Sequence, residues 1–238
     1  MIFLIVGGLL LGVAGYNAYS AAIDFAKDKV IEYRLIKASL TQTALPDVPA
    51  PTTTALYEKV DPANLHNGSA NPSDSLPTQT PLPVRSGYIP DRIEIPVLAV
   101  DAPVVSSDTK TIQIDEHWFK QFNAPDFLAV GWYSDSAPLG ITGNTVLGGH
   151  HNVDGKVFKN LAYLQVDDEI ILHSGAHEFK YRVMVIKLLN ERDAALDVRL
   201  ANAKWIEPTG DERITLITCW PKNNNTHRLI VVAYPESS

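Results

Sequence analysis

The chain has a single cysteine, Cys219. One thiol cannot close an internal disulfide, and it cannot build a Cys-rich zinc site. Clustered Lys and Arg are missing as well. The formal net charge is -7 and the pI is near 5.4. Nucleic-acid binding gathers basic residues against phosphates, so this balance argues against that class. There is no internal repeat. Hydrophobic residues make up 45% and charged residues 20%, as expected for an ordinary globular domain with additional segments.

Charge is absent from the first 23 residues, MIFLIVGGLLLGVAGYNAYSAAI. That run is read as a transmembrane anchor over 1–23. Tyr16 and Tyr19 suit the headgroup level. A cleaved secretory signal is the rival, but the run lacks a basic n-region and a clean A-x-A site. Asp24 to Leu40 holds no Gly or Pro and reads as a helix continuing from the anchor. From Thr41 to Arg85 the chain is rich in Pro, Thr, Ser, Asn and Ala. Such a stretch buries too little apolar surface to offset its chain entropy. Residues 24–86 are therefore expected to form a juxtamembrane helix and a linker that holds the next domain off the membrane.

Residues 87–238 change character. Short alternating runs rich in Val, Ile, Tyr and Thr fall at 91–95, 129–133, 144–149, 169–173, 178–189, 213–219 and 228–234. The spacing predicts an all-β barrel or sandwich. Val157 to Leu164 and Ala194 to Trp205 read as helical interruptions.

Two strand ends carry chemistry-bearing residues. Ile214-Thr215-Leu216-Ile217-Thr218-Cys219 runs into Trp220-Pro221, and after a polar loop Arg228 opens the next apolar run. In a hairpin, Cys219 and Arg228 come close. A fixed cation favours the thiolate, which is the nucleophile, and can stabilise charge on a carbonyl oxygen under attack. Pro221 should end the strand and leave Cys219 near a rim. Upstream, Thr145-Val146-Leu147-Gly148-Gly149-His150-His151 ends a strand in Gly-Gly and two imidazoles. Histidine is suited to proton transfer near neutral pH. A buried structural cysteine with a surface arginine is the plainer alternative.

Thr215-Leu216-Ile217-Thr218-Cys219 with Arg228 resembles the TLxTC-then-Arg signature of the sortase family. Gly149-His150 is similar to the catalytic-histidine motif of that family. Arg92 to Pro96, Val100 to Val104, Val130 to Tyr133 and Phe158 to Leu161 also match, so the likeness spans about residues 88–235. It implies a closed β-barrel of about eight strands with short helices. It implies a bacterial cell-membrane protein, single-pass, with an extracytoplasmic catalytic domain. The implied activity is cysteine transpeptidation of an LPxTG-like sorting signal on a secreted protein. The acyl group would pass to an amine of a peptidoglycan peptide or a pilin lysine. By this resemblance Cys219 is the nucleophile, His150 the general acid and base, and Arg228 the oxyanion or peptide contact. Thr218 and Trp220 are expected to contact substrate.

Further expectations accompany these. His151 should point away from His150, and His227, His66, His117, His173 and His177 are read as structural. A metal site from His150, His151, His173 and His177 matches no metal-ligand spacing. No cofactor is expected; Asp167-Asp168-Glu169 is the candidate for calcium, against a solvated turn. Leu76-Pro77-Thr78 lacks a following Thr-Gly and is read as linker. The other functional readings are a pilin-polymerising enzyme, a different Cys/His cell-wall peptidase, and a non-catalytic surface module.

Overall fold

The computed structural model describes residues 27, 29–37, 87–114 and 117–236. The expected anchor at 1–23 and linker from 41 lie outside the described residues.

Eight strands close a barrel in the order β1-β2-β5-β6-β9-β10-β8-β7. They are β1 (Arg92–Ile95), β2 (Val100–Ser107), β5 (Val130–Tyr133), β6 (Gly143–Gly148), β7 (Glu169–Ser174), β8 (His177–Asn190), β9 (Glu212–Trp220) and β10 (His227–Pro235). Pairing of β1 with β7 closes the ring and leaves no barrel edge open. Most neighbours are antiparallel, but β2 with β5 and β6 with β9 are parallel. The β6–β9 pair matters most, because it brings two strand ends far apart in sequence to one rim. A separate hairpin, β3 (Thr109–Ile114) with β4 (His117–Phe122), lies outside the barrel.

Side chains alternate across the wall. Ile93, Ile95, Val130, Trp132, Leu147, Ile170, Leu172, Ile214, Leu216, Leu229 and Val231 belong to one buried cluster. A second, smaller cluster lies on the other face of β8, β10 and β9. There Val185, Ile230 and Val232 pack with Trp205, Ile217 and Tyr234. Trp205 comes from the β8–β9 connection, which carries the helix α2 (Leu196–Ala203) and a 3-10 turn at Lys204–Ile206.

All seven strand expectations are met within two residues at each end. The strands β2, β3 and β4 are additions. Pro103 lies within β2, and a proline in a short run weakens the strand signal. Val157 to Leu164 forms turns and one 3-10 turn at Leu161–Tyr163 rather than a helix. Its apolar spacing serves burial: Val157, Phe158, Leu161, Ala162 and Leu164 all join the main cluster.

The helix α1 (residues 29–37) is also part of this body. Ile31 and Leu35, one helical turn apart, are buried in the main cluster. Arg34 donates to the carbonyl oxygens of Ala162 and Leu164, which would otherwise be orphaned at the end of the 3-10 turn. The segment after residue 37 thus leaves the same body that the chain rejoins at Tyr88, which bridges Leu139. The expected helix in this stretch is present over 29–37, and it packs on the barrel.

Candidate active site

Strand β9 sets the site. Ile214, Leu216 and Trp220 face the main core, so Thr215, Ile217 and Cys219 face out. Cys219 is a free thiol and is partly exposed. Its register partner on β10 is Arg228. Directly opposed residues have Cβ atoms about 4.5–5.5 Å apart and share a face. The guanidinium therefore originates beside the thiol on the outer surface.

On the other side of β9, strand β6 runs parallel. The last ladder pair is Gly148 with Ile217, and the Gly149 amide donates to the Ile217 carbonyl at 3.2 Å. His150 lies two positions past Gly148, and Cys219 two past Ile217. His150 thus follows the end of β6 toward the rim that carries Cys219. Thr218 fastens this arrangement: its hydroxyl donates to the Gly149 carbonyl at 2.7 Å. Glycine is required at 149, since a Cβ there would meet Val157 Cγ1 at 2.6 Å and Phe158 Cδ2 at 2.7 Å. The His150 carbonyl accepts from the Phe158 amide at 3.0 Å.

The His150 Nε2 atom is buried and has no hydrogen-bond partner within reach; Asp154 Oδ2 stands 3.7 Å away. Asp126, His150 and Asp154 bring donor atoms within 4.8 Å of one another. This is the one such convergent group among the described residues. The Asp167–Glu169 run is otherwise engaged. Asp168 Oδ2 accepts from the Gln165 amide at 2.7 Å, and Glu169 pairs with Arg182 at 3.1 Å. His173 lies 3.0 Å from Glu94, and His177 packs on Tyr88, both on the β7–β8 hairpin.

Thr218 and Trp220 occupy places other than those expected. Thr218 is buried and its hydroxyl is spent on the carbonyl of Gly149, the residue before His150. Trp220 is 2% exposed and belongs to the main core. The alternation that turns Cys219 outward turns Trp220 inward, so it cannot line a surface groove. Its ring meets His151 edge-on at 5.1 Å. His151 is itself buried and points away from the rim, as alternation predicts.

Several site residues were not foreseen. Tyr133 ends β5 on the outward face, where the position of a Cβ on Gly148 would lie 3.0 Å from its hydroxyl. Phe122 of the β3–β4 hairpin stacks on the ring. Burial pushes the Tyr133 phenol well above the usual tyrosine range; the Arg228 guanidinium pulls it down and Cys219 pushes it up. Both influences put the phenol in electrostatic reach of the thiol and the guanidinium. Beside Cys219 lies a cavity of about 430 Å³ lined by Glu191, Arg192, Asp193, Arg199, Asn225 and Arg228. The β8–β9 connection forms one wall. It is held to the barrel by Asn144, whose amide donates to the carbonyls of Trp205 and Glu207 at 3.1 Å each. The Thr215 hydroxyl donates to the same Asn144 at 2.7 Å, so the first threonine of the motif fixes the cavity wall. Asn152 donates to Lys222 and Asn225 and ties the two site loops together.

A closed barrel with a partly exposed thiol and a guanidinium on paired strands, and an imidazole just past the end of the strand on the other side, defines a cysteine enzyme of the acyl-transfer class. A sortase-domain family model matches residues 93–236, and the chain belongs to the sortase family, whose members are cysteine transpeptidases. Sortase A of Bacillus anthracis is 22% identical over 238 residues, covering 97% of this chain and 90% of that one. Sortase A of Listeria monocytogenes is 28% identical over 139 residues, or 58% of this chain and 59% of that one. Among solved structures, sortase A from Corynebacterium diphtheriae is 26% identical with a TM-score of 0.47, covering 65% of this chain and 64% of that one. A sortase D5 transpeptidase of Clostridium perfringens is 23% identical with a TM-score of 0.45, covering 62% and 79%.

Proposed function

We propose that this sortase cleaves an LPxTG-like sorting signal on a secreted protein at the outer face of a bacterial membrane, anchored by residues 1–23, and joins it to an amine. The observation that supports this reading is the register: Arg228 of β10 pairs with Cys219 of β9, and β6, which pairs with β9 as far as Gly148 and Ile217, leads two residues on to His150. The Cys219 sulfur attacks the carbonyl carbon of the signal threonine. The Arg228 guanidinium donates to the oxyanion. The C–N bond breaks, and the thiol proton passes through His150 to the leaving amine. A thioester remains on Cys219. An acceptor amine then attacks the same carbon, the C–S bond breaks, and the proton it sheds returns by His150 to the thiol. One amide is exchanged for another with no net redox change.

The cavity beside Cys219 supports entry of the acceptor from that side. Glu191 and Asp193 offer carboxylates to an ammonium group, while Arg192 and Arg199 offer positive charge to a neighbouring acid. The acceptor is an amine of a peptidoglycan peptide, giving attachment to the wall.

The test uses the full chain with a library of LPxTG-like peptides, with and without an added amine. Mass spectrometry should find the acyl fragment on Cys219, and the amine should divert product from hydrolysis to ligation. Cleavage unaffected by amine would make the enzyme a hydrolytic peptidase. An inert thiol with no acyl adduct would leave a non-catalytic surface module.

A further inference from the structure

The imidazole of His150 ends in an atom that the fold leaves unserved. Its Nε2 is shut off from solvent and makes no hydrogen bond, although 25% of the side chain is exposed. Buried polar atoms are normally satisfied, so an orphaned one on a reactive group calls for a physical reason. Two carboxylates converge on this imidazole. Asp154 Oδ2 stands 3.7 Å from Nε2. Asp126 joins them, so that one atom from each of the three residues lies within 4.8 Å of the others. Among the described residues, no lysine or arginine pairs with either acid.

The loop that carries Asp154 is fixed at several points. It leaves the rim at His150 and turns back at Phe158, whose amide donates to the His150 carbonyl at 3.0 Å. Asn152 ties it to the β9–β10 loop through the Lys222 carbonyl and the Asn225 side chain. Gly155 presses on the segment before β5, since a Cβ there would lie 2.2 Å from the Leu128 Cα. That close approach brings Asp154 beside Asp126, two residues before Leu128. Asp154 itself has a φ of 48°, in the left-handed region. Supporting contacts of this kind hold a reactive side chain in one orientation.

We infer that Asp154 is a positioning residue whose carboxylate holds the Nε2–H of His150, a role that rests on His150 being the general acid and base proposed above. Nδ1 is then the nitrogen that exchanges protons with the thiol and the amines. A neutral imidazole carries one N–H, and the partner of that N–H decides which nitrogen is basic. The separation is within about 1 Å of a direct hydrogen bond, and such contacts are often loose in a free enzyme and tighten around substrate. A base oriented by a third group is the general arrangement of nucleophile–base pairs. The Asp154 side chain is 44% exposed, so its charge is screened by solvent. The effect lies instead in orientation, at a ring atom that solvent does not reach.

The test uses the full chain in detergent micelles, a fluorogenic Leu-Pro-Ala-Thr-Gly peptide and hydroxylamine as the amine. Asp154→Asn should lower kcat by about 10–100-fold with KM within about twofold, a part of the roughly 10²–10⁴-fold that acid–base catalysis supplies. Its melting curve should match that of the unaltered chain. Asp154→Glu keeps the charge and should retain more activity than Asp154→Asn. A second readout needs no substrate: ¹⁵N spectra of the histidine rings in mildly alkaline buffer, with the His150 signals identified by their loss in His150→Gln. The unaltered chain should show the Nε2–H tautomer at His150, and Asp154→Asn a mixture of tautomers. An unchanged tautomer, or a lower kcat that tracks a lower melting temperature, would overturn the positioning role. A higher KM with unchanged kcat would overturn it in favour of a substrate contact. Activation by a chelator, lost in Asp154→Asn, would overturn it in favour of an ion site. Full activity in His150→Gln would overturn the assignment of His150 and this role together. An inactive His150→Gln beside a fully active Asp154→Asn would overturn the positioning alone.

Discussion

Along β9 the inward residues Ile214, Leu216 and Trp220 are at most 2% exposed, whereas their outward neighbours Ile217 and Cys219 keep contact with solvent. The two sets interleave in one strand and do unrelated work. The inward set fills the barrel and carries stability through apolar burial. The outward set sits on a wall already made rigid by that filling. The site does not have to supply its own rigidity, so a thiol, an imidazole and a guanidinium can be held at one rim with little local support. Thr218 is the exception, an inward residue whose hydroxyl reaches the Gly149 carbonyl and so serves the outer face.

Adjacent residues give the sharpest way to break this contrast. Cys219→Ala should abolish transpeptidation, and urea unfolding should move by no more than about 0.5 kcal/mol, as for a surface change. Trp220→Ala, one position on, should cost about 3–5 kcal/mol of stability by opening a cavity in the core. If the cysteine change destabilised as much as the tryptophan change, the two faces would not be separable.

Arg228→Ala comes next. Removing an oxyanion donor should lower kcat by about 10²–10³-fold with the melting curve little changed. Arg228→Lys should recover only part, because a point charge lacks the planar fork. Full recovery by lysine would make the role a general electrostatic one.

The smallest effect concerns two buried phenols, one on each face. Burial raises the Tyr133 phenol on the outer side and the Tyr181 phenol inside, the latter also beside Glu212. Both folded-state values lie above the unfolded one. The stabilisation is therefore full below the ordinary tyrosine value of about 10 and is lost as pH rises above it toward the folded values. Each phenol contributes a slope of up to about 1.4 kcal/mol per pH unit. Tyr133→Phe and Tyr181→Phe should each flatten the fall in urea midpoint between mildly and strongly alkaline buffer. A fall left unchanged by both would place the alkaline-labile groups elsewhere.

Seven of the eight barrel strands were legible because a two-residue alternation of Val, Ile and Thr persists even where both faces are buried. The β3–β4 hairpin was not, since His117–Phe122 (HWFKQF) carries no such alternation. The motif made Cys219, His150 and Arg228 visible as residues. It could not reveal Tyr133 or the cavity wall from Glu191 to Arg199. Their relation to Cys219 passes through the β5–β6 pairing and the docking of the β8–β9 connection, and no sequence spacing encodes either. Trp220 shows the reverse error: adjacency to the nucleophile suggested the groove, and the strand pleat sent the ring inside.

By itself the sequence determined the alternation of the strands, the lone thiol and the residues able to move protons around it, because side-chain chemistry and strand period are local properties. Only the tertiary structure decided which residues meet. Barrel closure made β6 and β9 parallel neighbours, put β10 on the other flank, and turned the outer surface at that rim into one site. It also drew α1 onto the barrel, since apolar burial of Ile31 and Leu35 depends on a partner surface that the chain assembles from distant segments.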